Sequence, residues 1–231
     1  ESVDAFASHL VVHERHGGLE RLRIVHTDGH QEVVALPDAV HSVWPSAMPE
    51  FTTRIVRYGY SSLTTPNSTV DYDLDTAQHT TVRRDPVPGH DPARYRAARE
   101  WAVAADGTRV PISIVHHVDT PLDGTASLLL YGYGAYEICV DPVFDIGLLP
   151  LLDRGWVCAI AHPRGGGELG REWYEGGRLA AKPNTFSDFV ACADHLAEQR
   201  WCDPQRIVAR GGSAGGLLMG AAVNLAPRRW R

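Results

Sequence analysis

The chain has 231 residues, of which 44% are hydrophobic and 22% charged, and a formal net charge of −6. This is the composition of an ordinary globular protein. The acidic balance argues against general nucleic-acid binding and mildly favours cationic partners. No apolar run reaches the length of a membrane-spanning helix, the stretch 146–152 being too short. Cys139, Cys158, Cys192 and Cys202 have no C-x-x-C spacing and read as buried thiols of a reducing compartment rather than a disulfide frame. No histidine spacing suits a metal, so no metal or cofactor is expected.

The length allows one large domain or parts of two. The first part reads as β. Segments 9–15 and 19–25 flank Gly17-Gly18, a hairpin signal, and 31–36 follows the turn at Asp28-Gly29. Segments 53–60 and 69–74 continue the pattern. Short strands at even spacing predict a β-propeller or a sandwich, and residues 1–84 amount to about two four-stranded blades. Two blades do not close a ring. With an opening at Glu1 instead of methionine, this predicts an internal piece of a longer protein.

Residues 85–95 are rich in proline and turn formers and read as the crossing into a second domain, 85–231. There the texture changes. A hairpin is predicted over 99–104 and 110–116. Buried strands follow at 127–132 and 156–161, a helical stretch at 146–153, and an amphipathic helix over 186–200, N-capped near Asn184 or Thr185. Strands alternating with helices predict an α/β fold with a mostly parallel sheet covered on both faces.

The last strand, 207–209, runs into Gly211-Gly-Ser-Ala-Gly215 and then an apolar helical stretch. This is the G-x-S-x-G nucleophile elbow in its strand-turn-helix setting, which makes Ser213 the candidate nucleophile. The competing readings are an incidental serine in a glycine-rich turn, or a phosphate cradle at a helix N-terminus. No Gly-Lys-Ser/Thr follows, which disfavours a P-loop. In α/β-hydrolases the acid and the histidine follow the serine. The chain ends at Arg231, so the expectation is a nucleophile without its base.

Four motifs then occur in order: 130–136 (Leu-Tyr-Gly-Tyr-Gly-Ala-Tyr), 164–170 (Arg-Gly-Gly-Gly-Glu-Leu-Gly), 184–189 (Asn-Thr-Phe-Ser-Asp-Phe) and 211–216 (Gly-Gly-Ser-Ala-Gly-Gly). Together the chain resembles the prolyl oligopeptidase family of serine peptidases. The strings 57–66, 151–155 and 212–220 resemble its oligopeptidase B branch most. The resemblance implies a seven-bladed propeller capping an α/β-hydrolase domain, with the active site between them, and a cytosolic peptidase that cleaves short peptides after arginine or lysine. This chain then holds the last propeller blades and an incomplete hydrolase domain, inactive alone.

The resemblance also implies residue roles. The oxyanion formed when Ser213 attacks is met by the backbone N–H of Ala214 and the hydroxyl of Tyr133. On the residues alone, Tyr133 reads equally as a packed aromatic at a strand end. Asp141 matches the first of two aspartates that bind a basic side chain at P2, one residue before the cleaved position P1. Val143 stands where the second is expected, and Asp141 before Pro142 also reads as a turn former. Tyr136 lines the substrate pocket. Arg164, Glu168 and His162 read as structural, His162 because it precedes the nucleophile. Short basic peptides are the implied partners. The alternatives are an esterase or acyl-peptide hydrolase on the same fold, or a non-catalytic remnant.

Overall fold

A computed structural model describes residues 2–231. Up to His90 the chain forms two four-stranded antiparallel sheets, each with its strands in sequence order. The first holds β1 (Ser2–Ala5), β2 (His9–His16), β3 (Leu19–His26) and β4 (Gln31–Val33). The second holds β5 (His41–Pro45), β6 (Ile55–Ser62), β7 (Ser68–Asp73) and β8 (Gln78–Arg84). The hairpin β2–β3 closes through Gly17 and Gly18, both at positive φ (59° and 86°), the backbone that a two-residue hairpin with right-handed strand twist demands. Alternation is clearest in β7, where Ser68, Val70 and Tyr72 point inward. Val11, Leu22 and Ile24 join Val56, Tyr58 and Tyr72 in one core shared by both sheets. Two open, up-and-down sheets of four strands that share one core are blades of the β-propeller type.

Strands β1, β5 and β8 escape the sequence pattern, and β4 is shorter than the predicted 31–36. The reason is plainest in β8 (Gln-His-Thr-Thr-Val-Arg-Arg), an edge strand exposed along its whole length, so no alternation marks it.

Residues 91–140 and 145–231 form the second unit. Its sheet runs in the order β13-β11-β12-β10-β9. β9 (Tyr95–Val103) and β10 (Arg109–His117) make a hairpin. β11 (Leu128–Tyr131), β12 (Val157–Ala161) and β13 (Ile207–Arg210) are mutually parallel, and β10 pairs with β12 antiparallel. The sheet is therefore half parallel, because its first two strands are joined by a short turn. Helix α1 (Leu149–Leu152) packs on β10 and β12, and α2 (Arg171–Glu175) follows β12. Helix α3 (Pro183–Glu198) and α4 (Ala214–Leu225) join Ile112, Leu128 and Leu130 in the main core. On α3 the buried positions are Thr185, Asp188, Phe189, Cys192, Ala193 and Leu196, the i, i+3, i+4, i+7 stripe of a helix with one face in the core. This is the start of an α/β-hydrolase domain.

The start of α3 differs from the sequence reading. Pro183 occupies the first turn, its fixed φ suited to that place, and Lys182 is the cap residue. Asn184 and Thr185 lie inside the helix, and the Thr185 hydroxyl donates to the carbonyls of Arg164 (2.6 Å) and Gly177 (3.1 Å) instead. Among the described residues no helix is long and apolar enough to cross a membrane.

Candidate active site

Ser213 stands at the turn from β13 into α4, exposed, with φ 53° and ψ −122°. A non-glycine residue there is strained by about 1–3 kcal/mol and persists only where its surroundings dictate it. Those surroundings are two glycines. A Cβ on Gly211 would lie 2.6 Å from Gly215 O and 3.0 Å from Gly132 O, and one on Gly215 would lie 2.9 Å from Gly132 O. Gly212 and Gly216 have open space. The motif glycines are thus required for close backbone approach, and the serine takes up the positive φ. Ser213 makes no side-chain cap with its own helix, so its hydroxyl is not spent on α4. Ala214 opens α4, where backbone N–H groups have no intrahelical acceptor, as an oxyanion donor requires.

Tyr133 reaches the same place from β11. Gly132 N–H donates to Arg210 O (3.1 Å), which extends the β11–β13 pairing. The Tyr133 Cα and ring carbon Cδ2 then lie 3.7 and 3.6 Å from where a Gly215 side chain would begin. Tyr133 thus packs on the turn that carries Ser213 and Ala214. Tyr136 stands apart on the same loop at φ 59° and is 72% exposed.

Asp141 behaves differently. Residues Asp141–Phe144 group with the first unit, although the chain on either side belongs to the second. The Asp141 carboxylate accepts from Arg15 Nη1 at 2.7 Å, and Arg15 also donates to Glu20 (3.2 Å) and Gly18 O (3.3 Å). The Phe144 N–H donates to Ser61 Oγ at 3.0 Å, and the Phe144 ring tilts against His90. Asp145 is used as a cap, accepting from Gly147 N–H at 2.8 Å.

The glycine-rich loop after β12 is held from within. Arg164 donates to the fully buried Asp188 through Nε (2.9 Å), Nη2 (2.7 Å) and its own backbone N–H (3.0 Å), and to Asp106 at 2.6 Å. These acceptors push the guanidinium above its ordinary value, Asp188 first. The Asp106 carboxyl is held at about 2 by the Thr108 backbone N–H and then by Arg164. His162, 1% exposed, bonds Ser113 Oγ at 2.8 Å and sits 3.5 Å from Glu168. Burial pushes Glu168 up, but the His162 hydrogen bond and charge with the Val140 N–H outweigh it and hold it below the usual range. Arg164, Glu168 and His162 are therefore structural members of this unit.

Sequence reasoning missed Lys182 and Asp106. Lys182 Nζ donates to Gly134 O at 2.5 Å, and burial pulls its pKa down. Neither residue lies in a pattern that distinguishes it from a surface lysine or a turn aspartate. Among the described residues no three His, Cys, Asp or Glu side chains cluster as metal ligands.

A strained serine at a strand-to-helix elbow, with the tyrosine loop packed on the turn, is the nucleophile-elbow arrangement of the α/β-hydrolase fold. Comparison with known proteins narrows the class. Residues 1–85 match the prolyl oligopeptidase N-terminal β-propeller domain, and 142–231 match the prolyl oligopeptidase family. The chain belongs to the prolyl oligopeptidase family. It is 43% identical over its whole length to dipeptidyl aminopeptidase BI of Pseudoxanthomonas mexicana, covering 32% of that protein. It is 39% identical over 96% of its length to protease 2 of Moraxella lacunata, again covering 32%. Oligopeptidase B from Leishmania major superposes on all of it with a TM-score of 0.86 at 38% identity, over 34% of that chain. The chain thus spans about a third of the length of the relatives it matches.

Proposed function

We propose that the complete protein is a cytoplasmic serine oligopeptidase that cleaves short peptides after arginine or lysine. The observation that carries this reading is the strained, exposed Ser213 with the Tyr133 loop packed on its turn. Ser213 Oγ attacks the scissile carbonyl carbon and gives its proton to a histidine base. The C–N bond breaks, the amine leaves with that proton, and water hydrolyses the acyl-enzyme. The Ala214 N–H and the Tyr133 hydroxyl receive the oxyanion, each donor contributing about 100- to 1,000-fold in rate.

His162 is not the base, being buried and engaged by Ser113 and Glu168. No histidine hydrogen-bonds Ser213 among the described residues, so residues 1–231 alone are expected to be inactive. Tyr136 lines the peptide path. Asp141 meets a basic P2 side chain only in competition with Arg15, and with Val143 nearby it gives at most a weak P2 preference.

A second reading is favoured by the 43% identity to a protein named as a dipeptidyl aminopeptidase. It is release of dipeptides from free N-termini, by the same chemistry. Mass spectrometry of peptides incubated with the complete protein decides. Internal cleavage after Arg or Lys, unchanged by N-terminal acetylation, supports the first reading. Stepwise loss of dipeptides that acetylation abolishes supports the second. Turnover of uncharged esters alone removes both in favour of an esterase.

A further inference from the structure

Three backbones meet behind the Tyr133 loop. A Cβ on Gly165 would lie 2.3 Å from Gly134 O and 2.9 Å from Gly177 O. One on Gly177 would lie 2.2 Å from Arg164 C and Gly165 N, and one on Gly134 2.5 Å from Thr185 Cγ2. Gly134 and Gly165 are also at positive φ, 62° and 99°. The junction has polar fasteners. Thr185 ties the carbonyls of Arg164 and Gly177, and Lys182 ties the carbonyl of Gly134, the residue directly after Tyr133. The Lys182 ammonium lies 5.8 Å from the Phe186 ring, and the residue is half-buried. A cation on a carbonyl makes one of the stronger hydrogen bonds available, here placed one peptide unit from the candidate oxyanion donor.

We infer that Lys182 is a positioning residue for peptide hydrolysis: by holding the Gly134 carbonyl it fixes the backbone that aims the Tyr133 hydroxyl at the oxyanion. This rests on the proposed role of Tyr133. Binding of the peptide does not depend on the contact, whereas stabilisation of charge at the reacting carbonyl does, and misplacement of a donor by about 1 Å costs up to about 100-fold in rate.

The test is a double-mutant cycle on kcat and KM in the complete protein, with Lys182→Met, Tyr133→Phe and the pair. Lys182→Met is expected to lower kcat about 10- to 100-fold with KM nearly unchanged, and to add nothing once Tyr133 is Phe. Lys182→Arg, which keeps a charged donor, should recover most of kcat. A Lys182→Met enzyme with wild-type kcat overturns the inference. So does one whose loss multiplies fully with that of Tyr133→Phe, because a merely structural defect persists in either background. Wild-type kcat in Tyr133→Phe overturns the Tyr133 role itself, and the inference with it. Where Lys182→Met does not fold, Lys182→Ala, which also removes the donor to Gly134 O, replaces it in the same cycle under the same criteria.

Discussion

Ser213 is held at φ 53° by its neighbours and not by its own preference. The two residues that enforce this, Gly211 and Gly215, have no room for a side chain. Replacement of Ser213 separates strain from chemistry. Ser213→Ala keeps the strain, while Ser213→Gly releases it, so the glycine variant is expected to be the more stable by about 1–2 kcal/mol. Thermal denaturation of both compares them directly; an alanine variant as stable as the glycine one would show the turn to be unstrained. The same residue scale explains what the sequence conceals. The elbow was legible because its residues are consecutive. Arg164 and its acceptors Asp188 and Asp106 are 24 and 58 positions apart, and Arg15 and Asp141 are 126 apart. No local pattern joins such pairs, so Asp141 reads as a free carboxylate until its partner is placed beside it.

At the scale of elements, the hairpin β2–β3 is laced by charge. Glu14 accepts from Arg23 (2.8 Å) and Arg21 (2.7 Å) across the strands. These contacts, Arg23 first, hold its carboxyl at about 2 against an ordinary 4.5. A depressed carboxylate stabilises the fold fully above its unfolded value and stops doing so as pH falls through its folded one. The contribution of Glu14 is therefore expected to be complete above pH about 4.5 and to vanish towards pH 2. Urea unfolding of Glu14→Gln across this range should show a shallower fall in stability than wild type, and equal slopes would exclude the pair as a stabilising contact. Legibility follows exposure at this scale. The buried strands β10, β11 and β12 announce themselves by apolar runs, and α3 by its stripe. The edge strand β8 carries no such mark, and the start of α3 was misplaced because Pro183, not a side-chain cap, begins it.

Across the whole molecule the described residues hold two separate hydrophobic clusters, one centred on Leu22 and Tyr58, the other on Leu130 and Phe189. Each unit has the core that independent cooperativity requires, so a single two-state transition is not expected. Calorimetry should resolve two. Leu22→Ala, costing about 2–5 kcal/mol, should lower one of them, and Phe189→Ala, costing about 3–5 kcal/mol, the other. One transition shifted equally by both substitutions would mean that the cores melt as a single body. The sequence changes texture after the proline-rich stretch 85–95, and the border between the two units falls within that stretch, after His90. The return of Asp141–Phe144 to the first unit was not readable, because four residues lacking helix or strand give no periodicity to detect.

That short return has a consequence for anyone who recombines these proteins. The border of the first unit is not one point in the chain but three, after His90 and on either side of Asp141–Phe144. A chimaera spliced only at residue 90 would combine the Arg15 and Ser61 of one parent with the Asp141 and Phe144 of the other. The unit that must travel together in a swap is discontinuous, and a transplant that respects it carries those four residues across with the blades.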